Sequence, residues 1–486
     1  MNRKNTSVLS QLKIGSHVHL MGICGTAMGS LAGLLKEKGY KVTGSDQNVY
    51  PPMSTQLQEL GIEIYQGYKK ENLNPKPDLV IVGNVISAHF EEAQELLNSD
   101  IPYTSLPAAL GEWAIGNRNS LVVTGTHGKT TTTSMLSWIA ETCDKNPGFL
   151  IGGIPLNFPR SFRNPPSNND NSEYFVIEGD EYDTAFFDKV PKFVHYRPKY
   201  VILTSIEFDH ADIYSDINEI LSAFKKLLEL IPEDGLLVYN AEDKNIPKIL
   251  EACRARKVSY GLQSGDYKIS DRQNLVGRNQ MSVEYKGQNI ADLAIKQFGP
   301  HNTMNALASF VIAKELGWSG FKVMQGLATF NGVKRRQEIL LQNESITIVE
   351  DFAHHPTAVS LTLDCMKEQF PGKRVIAIYE PRSATSRRNV FEKEYIAALQ
   401  KADVIFLPQA FDQAKITEES RFSSERVIQN LQQLGKNAYY CKDVEEIVKQ
   451  LHLTVNKGDI VLIMSNGGFG GIYQKILNLI IKKFSL

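Results

Sequence analysis

The residues best suited to chemistry are Thr124-Gly125-Thr126-His127-Gly128-Lys129-Thr130-Thr131-Thr132-Thr133, which follow the apolar run Leu121-Val122-Val123. A buried strand, a glycine turn and a helix start, in that order, bind nucleotide phosphate, because free N–H groups at the helix N-terminus point at the anion and the helix dipole favours it. Lys129 brings positive charge to the β- and γ-phosphates, and the Thr130 hydroxyl suits Mg²⁺. The general pattern places a glycine five residues before the Gly-Lys pair. Val123 stands there, so the loop is a shortened form beginning at Gly125. The plain structural alternative is a threonine-capped glycine turn with no ligand.

Other clusters accompany the loop. Glu178-Gly179-Asp180-Glu181-Tyr182-Asp183 puts four carboxylates into six residues beyond an expected strand. That is the ligand edge of an open α/β sheet, and the crowding asks for a cation such as Mg²⁺; a solvated acidic loop is the alternative. The next strand ends Glu207-Phe208-Asp209-His210, where the histidine is placed for a second metal or for a structural role. Near the N-terminus, Gly22, Cys24, Gly25, Thr26, Ala27, Met28 and Gly29 fill a turn between strand and helix, and Ser45 and Asp46 end the following strand. Such a turn takes a diphosphate and such an acid a ribose or base. The Gly-x-x-Gly-x-x-x-Gly spacing leaves a structural turn, an NAD site or another nucleotide open. Asn302 is placed to cap a helix, and Asn305 to read an adenine edge. Arg335 and Arg336 are placed to neutralise a transferring phosphoryl group. Asp351 and His355 fall where a further strand meets a helix.

These groups need parallel sheets to hold them. Short Val/Ile-rich runs alternate with helical patterns along the chain, the signature of crossover-connected parallel strands. The expected strands are 17–21 and 79–82 in a first block, 121–123, 174–178, 200–204 and 236–239 in a second, and 346–349, 374–379, 403–407 and 459–464 in a third. Residues 264–287 alternate weakly and read as a small antiparallel excursion, and 165–172 as a polar, mobile surface loop. With 486 residues, and about 150 per domain, three domains are expected: 1–118, 119–332 and 333–486. The fold class is α/β, with a Rossmann-like N-terminal domain, a central P-loop ATPase-type domain with a mostly parallel sheet, and a Rossmann-like C-terminal domain.

Composition removes several classes. A net charge of −1 without a basic block argues against nucleic acid. No apolar run reaches the roughly 18 residues of a membrane span, and residues 1–15 lack an apolar signal core. The five cysteines are odd in number and lack Cys-x-x-Cys spacing, which suits a reducing cytoplasm and offers no cysteine zinc site.

In this order the motifs resemble the Mur ligase family of ATP-dependent amide-forming enzymes, over nearly the whole chain. The resemblance implies that Gly125, Thr126, His127, Gly128, Lys129, Thr130 and Thr131 form the ATP loop, with Asn305, Arg336 and Asp351 as further nucleotide contacts. It implies Mg²⁺ at Thr130, Glu178 and His210. It assigns the diphosphate of UDP-N-acetylmuramate to Gly22, Cys24, Gly25, Thr26, Ala27, Met28 and Gly29, and its uridine to the neighbourhood of Ser45 and Asp46. Lys129, Glu178, His210, Arg336 and His355 become the catalytic set, and His355, Arg382 and Ser383 the contacts to a peptide amine. His127 and the Asp-x-x-His-His-Pro form at 351–356 are similar to the branch that uses the muramate nucleotide.

Two activities compete within that branch: addition of L-alanine, or of the tripeptide L-alanyl-γ-D-glutamyl-meso-diaminopimelate. Stretches 49–54, 185–189, 192–196, 207–214 and 464–471, together with Arg382-Ser383 after Glu380-Pro381, look like the tripeptide type. Ser205 departs from the family's usual Asn, and Lys225 and Lys226 read as solvated helix residues rather than a carbamylated metal bridge. The implied partners are ATP, UDP-N-acetylmuramate and the tripeptide, in the cytoplasm. The third peptide residue (diaminopimelate or lysine) and the oligomeric state stay open. A non-catalytic nucleotide-gated binding protein and an NAD-dependent oxidoreductase are the alternatives from other classes.

Overall fold

The computed structural model describes residues 12–49, 53–165, 173–275 and 277–484. The expected surface loop, apart from Pro165, lies outside these residues, as do 50–52 of the 49–54 stretch and residues 1–11.

Three large sheets organise the described residues, beside a two-stranded ladder of Asp183–Ala185 and Asp188–Pro191. The first is wholly parallel, in the order Glu63–Gln66, Lys41–Asp46, His17–Met21, Leu79–Val82, Tyr103–Ser105. The third has five parallel strands, Thr347–Asp351, Ile460–Met464, Val375–Tyr379, Val404–Pro408 and Asn437–Cys441, with Glu338–Gln342 antiparallel at one edge. Strands such as Ile460–Met464 and Val375–Tyr379 are buried at every residue, which is why they read as unbroken Val/Ile runs.

The central sheet has ten strands. Its parallel heart runs Gly148–Leu150, Tyr174–Gly179, Asn119–Thr124, Pro198–Leu203, Leu236–Asn240, Arg256–Gly261. The antiparallel excursion is larger than the sequence suggested: Tyr267–Leu275, Arg278–Tyr285 and Gln288–Ile295 form a three-stranded meander. Gln288–Ile295 has only two fully buried positions, Leu293 and Ile295, so its alternation was too faint to show. At the opposite edge of this sheet, beside Gly148–Leu150, strand Phe162–Arg163 packs under the first domain, where a Cβ on Gly33 would lie 2.1 Å from the Phe162 ring.

Two further points correct or settle the sequence reading. Asn302 does not cap its helix. Helix Pro300–Glu315 starts from Gly299, whose φ of +91° suits glycine, and Asn302 sits in the first turn with Nδ2 donating to Phe298 O at 2.8 Å. Lys225 and Lys226 are exposed on helix Ile217–Leu230. Among the described residues, no helix is long and apolar enough to cross a membrane.

Candidate active site

Register builds the site. Thr124 pairs with Gly179 on one side and Leu203 on the other, so Gly125, Asp180 and Thr204 leave the sheet at one level. Gly125 has φ +125°, and a Cβ there would fall 2.3 Å from Thr204 Oγ1 and 2.8 Å from the Ser205 backbone. Gly128 has φ +80°, and its Cβ would meet Asn305 Oδ1 at 2.5 Å. Both glycines are therefore demanded by conformation and by space. Between them Thr126 N–H donates to Ser205 O at 2.9 Å and His127 N–H to Ser205 Oγ at 3.1 Å, so Ser205 still ties down the loop. The buried helix Lys129–Thr142 starts at the loop's end and directs its first N–H groups into a cleft of about 730 Å³.

Lys129 Nζ donates to Gly125 O at 2.7 Å and to Glu181 Oε2 at 3.2 Å. Glu181, 2 % exposed, also takes His210 Nε2 on its other oxygen at 2.9 Å. Burial opposes the charge on Glu181, yet Lys129 and His210 outweigh it and bring the carboxyl down to about 2. Burial likewise opposes the Lys129 ammonium, but Glu181, Asp180 and Glu178 hold it above the ordinary lysine range. His210 is raised by the same partner against its own burial, and its φ of +57° is a strained conformation for a non-glycine residue.

Thr130 Oγ1 donates to Glu178 Oε2 at 3.0 Å, while Gly152 N–H donates to Glu178 Oε1 at 2.5 Å. Burial, then the nearby Asp180, pushes the Glu178 carboxyl up. A half-buried carboxylate beside a hydroxyl, crowded by a second acid, fits a hard cation with oxygen ligands. Thr130 and Glu178 are thus brought together as expected, whereas His210 is turned to Glu181. Arg336 Nη2 lies 3.3 Å from Thr130 Oγ1, with its guanidinium 4.4 Å above the Phe352 ring. Arg335 does not share that role, because it pairs with Glu350 at 2.6 Å and donates to the Ser465 and Gly467 carbonyls.

Asn305 and Asp351 line the cleft. The Asp351 carboxylate is already taken by the N–H groups of Gln337 and Ala353, both at 2.8 Å. His355, 4 % exposed, caps helix Pro356–Gln369, accepting Thr357 N–H on Nδ1. Ser383 lines the cleft, but Arg382 stacks on Phe411 at 3.7 Å and pairs with Glu380.

In the N-terminal turn, Thr26 and Ala27 reach the same cleft, at the start of helix Thr26–Glu37. Cys24 N–H donates to Asp46 Oδ2 at 2.9 Å, which joins the turn to the second strand. Gly22 has φ +86°, and its N–H donates to Ser45 O at 2.8 Å. Ser45 is fully buried, with its hydroxyl donating to Glu92. Met28 sends its side chain into the core, and Gly29 lies under Met53. These two residues are packing positions rather than side-chain contacts to a ligand.

Glu181, Glu207, Asp209 and Thr385 were missed as individual groups. Glu207 accepts from Thr357 Oγ1 at 2.7 Å and Asp209 from Thr385 Oγ1 at 2.6 Å, so both join the central domain to the C-terminal one. Burial opposes the Glu207 charge, but His127, Thr357 and His355 bring it down to about 2. Their place in the run before His210 was the available signal.

Three stretches match family descriptions: residues 17–118 "Mur ligase family, catalytic domain", 123–313 "Mur ligase middle domain", and 335–467 "Mur ligase, glutamate ligase domain". The chain is 38% identical over 468 residues to the Escherichia coli (strain K12) UDP-N-acetylmuramate–L-alanyl-γ-D-glutamyl-meso-2,6-diaminoheptandioate ligase, covering 96% of this chain and 98% of that one. It resembles the solved murein peptide ligase of Psychrobacter arcticus (TM-score 0.72, 36% identity, 96% and 98% of the chains). It also resembles the solved UDP-N-acetylmuramate-alanine ligase of Thermotoga maritima (TM-score 0.79, 25% identity, 97% and 99%).

Proposed function

The chain belongs to the Mur ligase family and is an ATP-dependent amide ligase, and from that premise we propose that it joins L-alanyl-γ-D-glutamyl-meso-diaminopimelate to UDP-N-acetylmuramate, in the cytoplasm. The observation that carries this reading is the convergence on one cleft of the phosphate loop, the Thr130–Glu178 pair, the N-terminal turn at Thr26 and Ala27, and Ser383 of the C-terminal domain. The lactyl carboxylate oxygen attacks the γ-phosphorus, ADP leaves, and an acyl phosphate forms. The peptide amine then attacks the carbonyl carbon, loses a proton, and expels phosphate. Lys129 and Arg336 face the charge that moves in the first step. Thr130 and Glu178 would hold a magnesium ion, which supplies further neutralisation of phosphate charge. The three domains, divided near residues 118 and 332, enclose the acyl phosphate from water.

Identity to relatives supports the tripeptide by a modest margin: 38% and 39% for two peptide ligases against 34% for an L-alanine ligase. The higher TM-score with the alanine ligase reflects backbone and domain placement, which do not select the amine. The test is phosphate release from ATP with UDP-N-acetylmuramate and either L-alanine or the tripeptide, with product masses measured. Tripeptide-dependent release with the matching mass is expected. Release driven by L-alanine alone would make this the alanine-adding enzyme and remove the diagnostic value of 185–189 and 192–196.

A further inference from the structure

Beside the phosphate loop, three ligating side chains from two domains point at one spot. His127 comes from the loop, Glu207 from the segment after strand Pro198–Leu203, and His355 from the start of helix Pro356–Gln369. Their ligand atoms all lie within 4.8 Å of one another. We propose that His127, Glu207 and His355 bind a divalent transition-metal ion of the zinc class, at a site separate from Thr130 and Glu178 and spanning the central and C-terminal domains.

The proton positions give the first argument. His355 Nδ1 accepts the Thr357 N–H at 3.3 Å, and Nε2 lies 3.2 Å from the Phe208 carbonyl, which can only accept. The ring proton therefore belongs on Nε2. Nδ1, which carries the ring's lone pair, also lies 3.4 Å from Glu207 Oε2. An ion ligated by Nδ1 would take over the lone pair that now meets Thr357 N–H and would stand where His127 Nε2 now meets Glu207 Oε2.

Distances choose the cation. Glu207 Oε2 is 3.2 Å from His127 Nε2 and 3.4 Å from His355 Nδ1. Zinc bound at about 2.1 Å in a tetrahedron sets its ligand atoms about 3.4 Å apart. A substrate ammonium at about 2.9 Å from each acceptor would set them about 4.7 Å apart. The two short edges match the metal. Two imidazole nitrogens and one carboxylate suit zinc and its neighbours, whereas magnesium prefers oxygen ligands and keeps its waters. The His127 and Glu207 side chains are 23% and 31% exposed, which leaves an approach and a fourth position open to water. Thr357 Oγ1 donates at 2.7 Å to Glu207 Oε2 itself and so fixes the oxygen that would ligate. An ion here would fasten the helix Pro356–Gln369 to the phosphate loop.

The test uses the full-length protein in excess magnesium, dialysed against zinc chloride and analysed for metal, with a parallel cobalt(II) titration read by visible absorption. About one zinc per chain is expected, with the strong absorption of four-coordinate cobalt. His127→Asn and Glu207→Gln, each checked for folding by circular dichroism, are expected to lose both signals, and Glu178→Gln to keep both. Retention in His127→Asn, or loss in Glu178→Gln, would place the ion at the phosphate site and overturn the proposal. So would weak six-coordinate cobalt bands in the unaltered protein, a readout independent of any variant.

Discussion

Glu181 is the residue on which the charge balance of the site turns, since among the described residues it alone pairs with both Lys129 and His210. Lys129 was legible because Gly-Lys-Thr after a buried strand has few other uses. Glu181 was not, because four acids in six residues gave no sign of which one faced inward. Its removal leaves the Lys129 ammonium, 14% exposed, without its nearest countercharge. Glu181→Gln should therefore destabilise the fold by about 3 kcal/mol near neutral pH, the scale of breaking a buried pair from one side. The carboxyl is depressed from 4.5 to about 2, so its contribution is fully present above 4.5 and is lost as pH falls through about 2. Urea unfolding at a series of pH values should show the gap between the two proteins closing across that window. A gap that stays constant down to the lowest pH would show that the pairing does not stabilise the fold.

At the level of elements, the strand–turn–helix unit of Asn119–Thr124 and Lys129–Thr142 is set by Gly125 and Gly128. Gly125→Ala would strain a φ of +125° and drive a methyl group into Thr204 and the Ser205 backbone. A loss of about 2–4 kcal/mol in stability is expected, together with weakened ATP binding, both measurable by thermal unfolding with and without nucleotide. Stability and nucleotide response equal to the unaltered protein would show that the loop relaxes freely. Elements of this kind were readable in the sequence because both faces of their strands are buried, which leaves an unbroken apolar run. The meander ending in Gln288–Ile295 was only partly readable, since one face meets water and only Leu293 and Ile295 of that last strand are buried. The role of Asn302 was misread because a capping residue type also serves inside a first turn, where Gly299 had already supplied the start.

Contacts between domains were the part of the molecule least visible in the sequence, because they join residues far apart along the chain. Thr385 with Asp209, Thr357 with Glu207, and Arg336 with Thr130 hold the C-terminal domain against the phosphate loop. On the other side, Phe187 packs on Tyr103 of the first domain with ring centroids 5.0 Å apart, and Lys192 reaches Asp180 at 3.2 Å. Two of the stretches that carried the likeness to tripeptide-adding enzymes, 185–189 and 192–196, thus sit at the joint of the first and central domains, beside the acidic run. This arrangement brings carboxylate, phosphate and amine together in one enclosed place, and the acyl phosphate is its central consequence. The most direct measurement supplies UDP-N-acetylmuramate labelled with heavy oxygen in the lactyl carboxylate, together with ATP and the tripeptide, and weighs both products. The account predicts one labelled oxygen in the released phosphate and the other in the new amide carbonyl of a tripeptide-bearing nucleotide. Phosphate free of label would contradict the acyl-phosphate route.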